Sequence, residues 1–278
     1  MLSPATRSLD VHKIAGALGA EISGVDLARD LDDGTVAEIR RIWLDNCVVF
    51  FRNQDLASAR FLELAKRFGE PIEYPFLKGL DGFPEIITVA KLEHEKINFG
   101  GVWHSDTSYL DVPPMATMLI AREVPPVGGD TLFASQYAAY DALSDRMKAY
   151  LEGLTATHSG DHIYRRNNAL MGLPETGKVY PKASHPIVRT HPVTKRKALY
   201  INGEFGTHIN ELPRDEGRAL FEFLCEFSTK EEFQCRFRWQ PHSVAFWDNR
   251  CVQHQALWDY YPQTRSGRRV TIKGDRPY

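Results

Sequence analysis

Apolar positions recur at helical spacing twice near the start of the chain and then give way to short runs of strand length. Val36, Ile39, Trp43 and Cys47 fall every three or four residues behind the turn signal Asp32-Asp33-Gly34, which predicts an amphipathic helix with one apolar stripe. Phe61, Leu64, Ala65 and Phe68 repeat the pattern over 57–68, with Gly69 placed to end that helix. The apolar run 47–52 between them reads as a buried strand, and 13–27, broken by Gly16, Gly19 and Gly24, has β-and-turn character. Later runs at 86–90, 115–121, 187–190, 198–202, 233–239, 244–247 and 270–273 are strand-like and separated by turn residues. They lack the strand–helix alternation of a parallel sheet, so the expected fold is mainly β, an antiparallel sandwich or jelly roll decorated by helices. Two such helices are expected at 144–154, with Ser144 as N-cap, and at 214–227, with Ala219, Leu220, Phe223 and Cys225 or Phe227 facing inward. Residues 159–184 are rich in Arg, Asn, Gly and Pro and longer than an ordinary connection, as lid insertions are. With no repeat or linker, 1–278 reads as a single domain.

Composition narrows the function classes. The 278 residues are 43% hydrophobic and 25% charged, close to the average for a soluble globular chain. A formal net charge of -2, without a strong basic cluster outside the C-terminal part, gives no attraction to nucleic acid or anionic membranes. No early apolar run is long enough for a secretory signal or a membrane span, so a cytoplasmic location is expected. Cys47, Cys225, Cys235 and Cys251 form no Cys-x-x-Cys pair and read as reduced core residues.

Trp103-His104-Ser105-Asp106 contains the chain's only His-x-Asp. On a strand, alternate residues face the same way, so His104 and Asp106 can reach one metal ion. His254, beyond the turn-prone Asp248-Asn249-Arg250, is the candidate third ligand. Two imidazoles and one carboxylate on one face of an octahedral ion leave positions open, as in non-haem Fe(II) oxygenases. Taken alone, any of these histidines reads more simply as a hydrogen-bonded core residue, and Arg265 as part of a solvated basic stretch with Arg268, Arg269 and Lys273. His94 and His208 read as ordinary surface or packing residues, and Trp103 and Trp247 as walls beside the metal blocks.

Four blocks in order change those odds: Gly19-Ala20-Glu21-Ile22-Ser23-Gly24-Val25-Asp26-Leu27, Trp103-His104-Ser105-Asp106, Gly128-Gly129-Asp130-Thr131, and Trp247-Asp248-Asn249-Arg250 continuing through His254 to Arg265 and Arg269. With them the chain resembles the taurine dioxygenase family of Fe(II)- and 2-oxoglutarate-dependent dioxygenases, which includes alkylsulfatases and aryloxyalkanoate dioxygenases. The resemblance implies a double-stranded β-helix core and Fe(II) held by His104, Asp106 and His254. It implies that Thr131 and Arg265 hold the distal carboxylate of the co-substrate 2-oxoglutarate, a task that suits the forked, permanently charged guanidinium. It also implies that Arg269 binds the anionic end of a small substrate, a sulfonate, sulfate ester or carboxylate. That substrate would be hydroxylated with O2, and a C–S or C–O bond in the product could then break. Tyr74, Phe99 and Gly100 stand where taurine dioxygenase has polar substrate-binding residues, which argues against taurine and for a roomier, less polar pocket. A homo-oligomer, dimer or tetramer, is also implied. The rival readings are a zinc-type metallohydrolase, which the Thr131 and Arg265 clamp disfavours, and a non-catalytic β-sandwich binding protein.

Overall fold

The computed structural model describes residues 9–95, 100–170 and 177–278. Its largest sheet has eight strands, in the order Asp10–Lys13, Ala20–Ser23, Val48–Phe51, Val244–Asp248, Ala116–Glu123, Arg265–Ile272 and Pro71–Ile72, with Ile86–Lys91 also paired to Arg265–Ile272. All neighbours are antiparallel except Ala20–Ser23 beside Val48–Phe51. A second sheet, Gln234–Phe237, Thr131–Ser135 and Val252–Ala256, faces the first. The fold is therefore mainly β with flanking helices, the jelly roll that the strand pattern predicts, with the double-stranded β-helix core that the resemblance implies.

The two-residue period of the strands divides the large sheet into two chemistries. Val49, Phe51, Met118, Ile120, Val244, Phe246, Val270 and Ile272 face outward and are covered by the helices Asp33–Asn46 and Ser58–Lys66. Asp32 caps the first helix by accepting from Thr35 N at 2.8 Å, and Trp43 stacks on Phe246 with centroids 4.4 Å apart. Val48, Phe50, Leu119, Ala121, Ala245 and Trp247 face inward and meet Phe133, Cys235, Phe237 and Val252 of the second sheet, with Phe50 stacked on Phe237 at 3.9 Å. Arg265, Gly267, Arg269 and Thr271 lie on this inner face too, because they alternate with Val270 and Ile272. One end of the sandwich is thus polar inside, and the site lies there.

A third sheet, Gly206–Ile209, Thr155–Ser159 and Lys182–Pro186, and the ribbon Val188–Thr190 with Lys197–Leu199 extend the molecule beyond the sandwich. They pack against the helices Gln136–Ala142, Asp145–Leu151 and Arg214–Phe227. Ser144 caps Asp145–Leu151 as expected, accepting from Met147 N. The helix Arg214–Phe227 has the expected bounds but a different inner face: Gly217 and Leu224 are buried, Leu220, Phe221 and Cys225 are partly buried, and Ala219 and Phe223 are exposed. The buried stripe runs through 217, 220, 221 and 224. The stretch 159–184 contains a helix, Asp161–Leu170, and the start of the strand Lys182–Pro186. Cys47, Cys235 and Cys251 are buried, Cys225 is partly so, and all four are free thiols. Among the described residues no helix is long and apolar enough to cross a membrane.

Candidate metal centre and active site

His254 lies in the middle of Val252–Ala256, and its backbone pairs reciprocally with His104, His104 N donating to His254 O at 3.1 Å and His254 N to His104 O at 2.8 Å. The expected strand through His104 and Asp106 is reduced to this single bridge. The chain turns at once, with Thr107 at a φ of 42°, and the turn rather than strand alternation swings Asp106 beneath the two imidazoles. Asp106 Oδ1 is 3.6 Å from both His104 Nε2 and His254 Nε2. Donor atoms about 2.1 Å from one ion at right angles would lie about 3 Å apart, so a small closure completes a facial triad.

Two polar atoms of the triad, Asp106 Oδ1 and His254 Nδ1, are buried without a hydrogen-bond partner, and neighbouring groups fix others. His104 Nδ1 lies 2.7 Å from the Val102 carbonyl, which only accepts, so Nδ1 carries the proton and Nε2 presents its lone pair. Asp106 Oδ2 accepts from Thr117 Oγ1 at 2.7 Å and pairs with Arg269 Nη2 at 2.8 Å. Asn249 locks this arrangement, donating to Thr117 Oγ1 at 3.0 Å while accepting from Trp247 Nε1 at 3.0 Å. Asp106 Oδ1, buried and without a hydrogen-bond partner, is left facing the imidazoles. An orphaned carboxylate oxygen opposite two Nε2 atoms fits a divalent ion, and the donor set suits Fe(II).

Electrostatics prepare the ligands for metal. Burial would raise the Asp106 carboxyl, but Arg269, His254 and His104 hold it well below the ordinary carboxylate range. Burial pushes His254 well below its ordinary value, and the neighbouring His104 adds to this. A deprotonated carboxylate and neutral imidazole are the binding forms. Burial opposes the charge on Arg269, but Asp106 outweighs it and raises the guanidinium.

Arg265 stands four residues before Arg269 on the same strand face, about 13 Å away along the strand. Its Nη2 donates to Thr131 Oγ1 at 3.3 Å, and its guanidinium lies over Trp239, whose Nε1 donates to the same hydroxyl at 2.9 Å. Thr131 is placed by Gly128 and Gly129, both at positive φ; a Cβ on Gly128 would come within 2.6 Å of Asp259 Oδ1, the acceptor for Gly129 N. Tyr74 and Gly100 line a cleft of about 330 Å³, open solvent at its mouth included, with His104, Tyr164 and Phe205. Tyr74 carries the Arg269 guanidinium over its ring at 4.7 Å. Phe99, the remaining candidate, lies outside the described residues.

Thr117 and Asn249 escaped sequence reasoning as site residues, although Asn249 belongs to one of the four blocks. Trp247 is the expected wall, its ring 4.8 Å from that of His254, and His94 and His208 are exposed. A second cluster of ligand-type side chains, His191, Asp248 and Cys251, is buried nearby. Both Asp248 oxygens bond Arg250, and one also bonds His191 at 3.1 Å, so no lone pair is left over for an ion and the cluster is a brace.

The turn carrying Asp106 rests on a further buried polar group. His158 Nδ1 meets Ser108 Oγ at 2.9 Å, Asn202 Nδ2 donates to the same oxygen at 3.1 Å, and His185 Nε2 donates to the Ser108 carbonyl at 2.9 Å. Burial, reinforced by His185, lowers His158 to about 3, and burial also lowers His185. Both histidines take up protons on unfolding below their ordinary value of 6.5, so stability is full above that pH and falls as the pH descends towards about 3. His158 alone should cost about 2–3 kcal/mol at a pH of about 4.5. Thermal melts at neutral pH and at about pH 4.5 should show the drop, and it should shrink in His158→Asn; equal drops in the two proteins would remove His158 as the cause.

A two-histidine, one-carboxylate triad at the polar end of an antiparallel double sheet is the ligand arrangement of mononuclear non-haem iron oxygenases. Residues 10–271 match the family model described as taurine catabolism dioxygenase TauD, TfdA family. An alkylsulfatase of Acinetobacter baylyi is 34% identical over 97% of this chain and 86% of its own length. An alpha-ketoglutarate-dependent sulfate ester dioxygenase of Pseudomonas putida is 34% identical over 99% of this chain and 93% of its own. The crystal structure of a taurine dioxygenase from Burkholderia xenovorans superposes with a TM-score of 0.84 at 35% identity, covering 97% of this chain and 92% of that one. The chain belongs to the TauD/TfdA family of dioxygenases.

Proposed function

We propose that this 2-oxoglutarate-dependent non-haem iron dioxygenase hydroxylates a small anionic organic substrate at a centre in which His104, Asp106 and His254 hold Fe(II). The observation that carries the assignment is the buried, unpartnered Asp106 Oδ1 equidistant, at 3.6 Å, from two Nε2 atoms. Bound there, the iron supplies activation of O2, one oxygen atom entering the substrate C–H bond while 2-oxoglutarate loses CO2 to become succinate. The chain's own work is binding and exclusion of water. Arg265 and Thr131 take the distal carboxylate of 2-oxoglutarate, with Trp239 fixing the threonine hydroxyl. Arg269, held beside the metal by Asp106 and carried on the ring of Tyr74, presents a nitrogen, Nε, without a hydrogen-bond partner to the substrate's anionic group. That Tyr74, Phe99 and Gly100 stand where taurine dioxygenase has polar residues favours a substrate group bulkier or more apolar than that of taurine.

The relatives act, by their names, on sulfate esters, and we infer that sulfate esters and sulfonates are the first substrates to test. Residues 159–184, of which 171–176 lie outside the described residues, are taken as a lid in this reading: Ile163 and Tyr164 of the helix Asp161–Leu170 line the cleft, and Tyr164 is tied to Tyr109 by hydroxyls 2.7 Å apart. The reading also takes 1–278 as one domain working in the cytoplasm as a homo-oligomer.

Purified protein with Fe(II), 2-oxoglutarate and ascorbate, offered alkyl sulfates, alkylsulfonates, aryloxyalkanoates and carboxylates, should release succinate in step with oxidised product for at least one anion. Turnover without O2 and with Zn(II) in place of iron would replace this reading with hydrolysis.

A further inference from the structure

The cleft beside the triad contains a charged side chain that the chemistry above does not use. Glu204 lines it and is only 8% exposed. Among the described residues its nearest cation, Arg166 Nη2, stands 3.9 Å away, beyond hydrogen-bond reach, on a side chain that is 56% exposed. Such a half-solvated pair contributes little and does not replace the lost hydration of the carboxylate. No described residue donates a hydrogen bond to it. Of the other cleft residues, Ile163 and Phe205 are apolar, Gly100 has no side chain, the Tyr164 hydroxyl is engaged with Tyr109, His104 Nδ1 is engaged with the Val102 carbonyl, and Tyr74 lies under Arg269.

The backbone that carries Glu204 is held on three sides. Phe205 N donates to Asn202 Oδ1 at 2.9 Å, Gly206 N to Asn202 O at 3.1 Å, and His162 Nε2 to the Glu204 carbonyl at 2.8 Å. The turn is so tight that a Cβ on Gly206 would lie 2.6 Å from the Asn202 carbonyl oxygen. Glu204 is thus presented to the cleft from a fixed position, while Arg269 approaches from the metal side on the ring of Tyr74. The cleft thus holds a carboxylate of its own, and its Tyr74 wall is backed by the Arg269 guanidinium.

We propose that Glu204 is a specificity-determining residue, selecting organic anions whose far end carries a hydrogen-bond donor, an ammonium or a hydroxyl group. The proposal rests on reading the site as a dioxygenase centre. A donor-bearing tail gives the carboxylate a hydrogen-bond partner that no described residue supplies, whereas a methyl-ended tail of the same shape removes its remaining water and offers none in return. Arg166 tightens the distinction, because a second negative charge on the tail would meet Glu204 before it could reach the arginine outside.

The test uses matched substrates of one length: aminopropane sulfonate, hydroxypropane sulfonate and butane sulfonate, with the corresponding sulfate esters and carboxylates. In the native protein kcat/KM for the donor-tailed members should exceed that for the methyl-tailed member by about tenfold or more. Glu204→Gln should abolish the preference for the ammonium and keep part of that for the hydroxyl, which an amide oxygen still accepts; Glu204→Ala should abolish both. The proposal falls if the native protein treats the members of a set alike, a result that needs no variant, or if the preference survives in Glu204→Ala. Stimulation of succinate release without tail preference sinks the role of Glu204 alone, whereas no stimulation by any anion sinks the dioxygenase reading with it.

Discussion

Replacing Asp106 by alanine should abolish succinate formation and destabilise the metal-free protein by about 3–5 kcal/mol, because the substitution leaves the buried Arg269 guanidinium without its counter-charge. His104→Ala should be equally inactive, with turnover down by about a thousandfold or more, since even outer partners of metal ligands are worth about 10–100-fold. It should nevertheless be far less destabilised, because the lost imidazole bonds only the Val102 carbonyl and the backbone bridge to His254 stays in place. The contrast is the informative result. Thermal or denaturant melts without metal should rank Asp106→Ala well below His104→Ala, and Asp106→Ala combined with Arg269→Met should recover much of the loss. If the two single variants melt together, Arg269 is not held by Asp106 in the way the 2.8 Å contact indicates.

Arg265→Ala should raise the KM for 2-oxoglutarate by about 100-fold while leaving the metal ligands in place, the loss expected when a charge-assisted, two-pronged carboxylate partner is removed. Arg265→Lys should recover only part of this, since an ammonium lacks the fork that reaches Thr131 and the flat face that lies over Trp239. Rates of succinate release against 2-oxoglutarate concentration separate the outcomes. A fall in kcat at unchanged KM would move Arg265 out of the co-substrate pocket and into a structural role.

Of the three side chains that the structure draws together, His104 and Asp106 were legible as candidates from their short spacing, and His254, like the candidates Thr131 and Arg265, because it sits in a recognisable block. The apolar strands were legible for a different reason: 48–51, 116–123, 244–248 and the apolar end of 265–272 bury one or both faces, and burial writes itself as hydrophobic periodicity. Strands whose inner face carries polar residues left no such trace. Val252–Ala256 reads Val-Gln-His-Gln-Ala, and Gln253, although polar, is buried and bonded to the Ile201 carbonyl and Ser228. Thr155–Ser159 hides the buried His158 in the same way. The turn at Asp106 was invisible because it depends on a left-handed Thr107, a residue type that seldom announces that conformation. The inner stripe of Arg214–Phe227 was misjudged because Phe223 is apolar yet exposed, and nothing local distinguishes it from the partly buried Phe221.

The reciprocal pair of backbone bonds between His104 and His254 sets the spacing of the two imidazoles through peptide groups, independently of any ion. The holder is therefore built by folding and not by loading. Chelation should be a reversible manipulation, with stripped enzyme keeping its shape and accepting redox-silent divalent ions as spectroscopic reporters, so that occupancy of the centre and integrity of the chain can be titrated as separate variables.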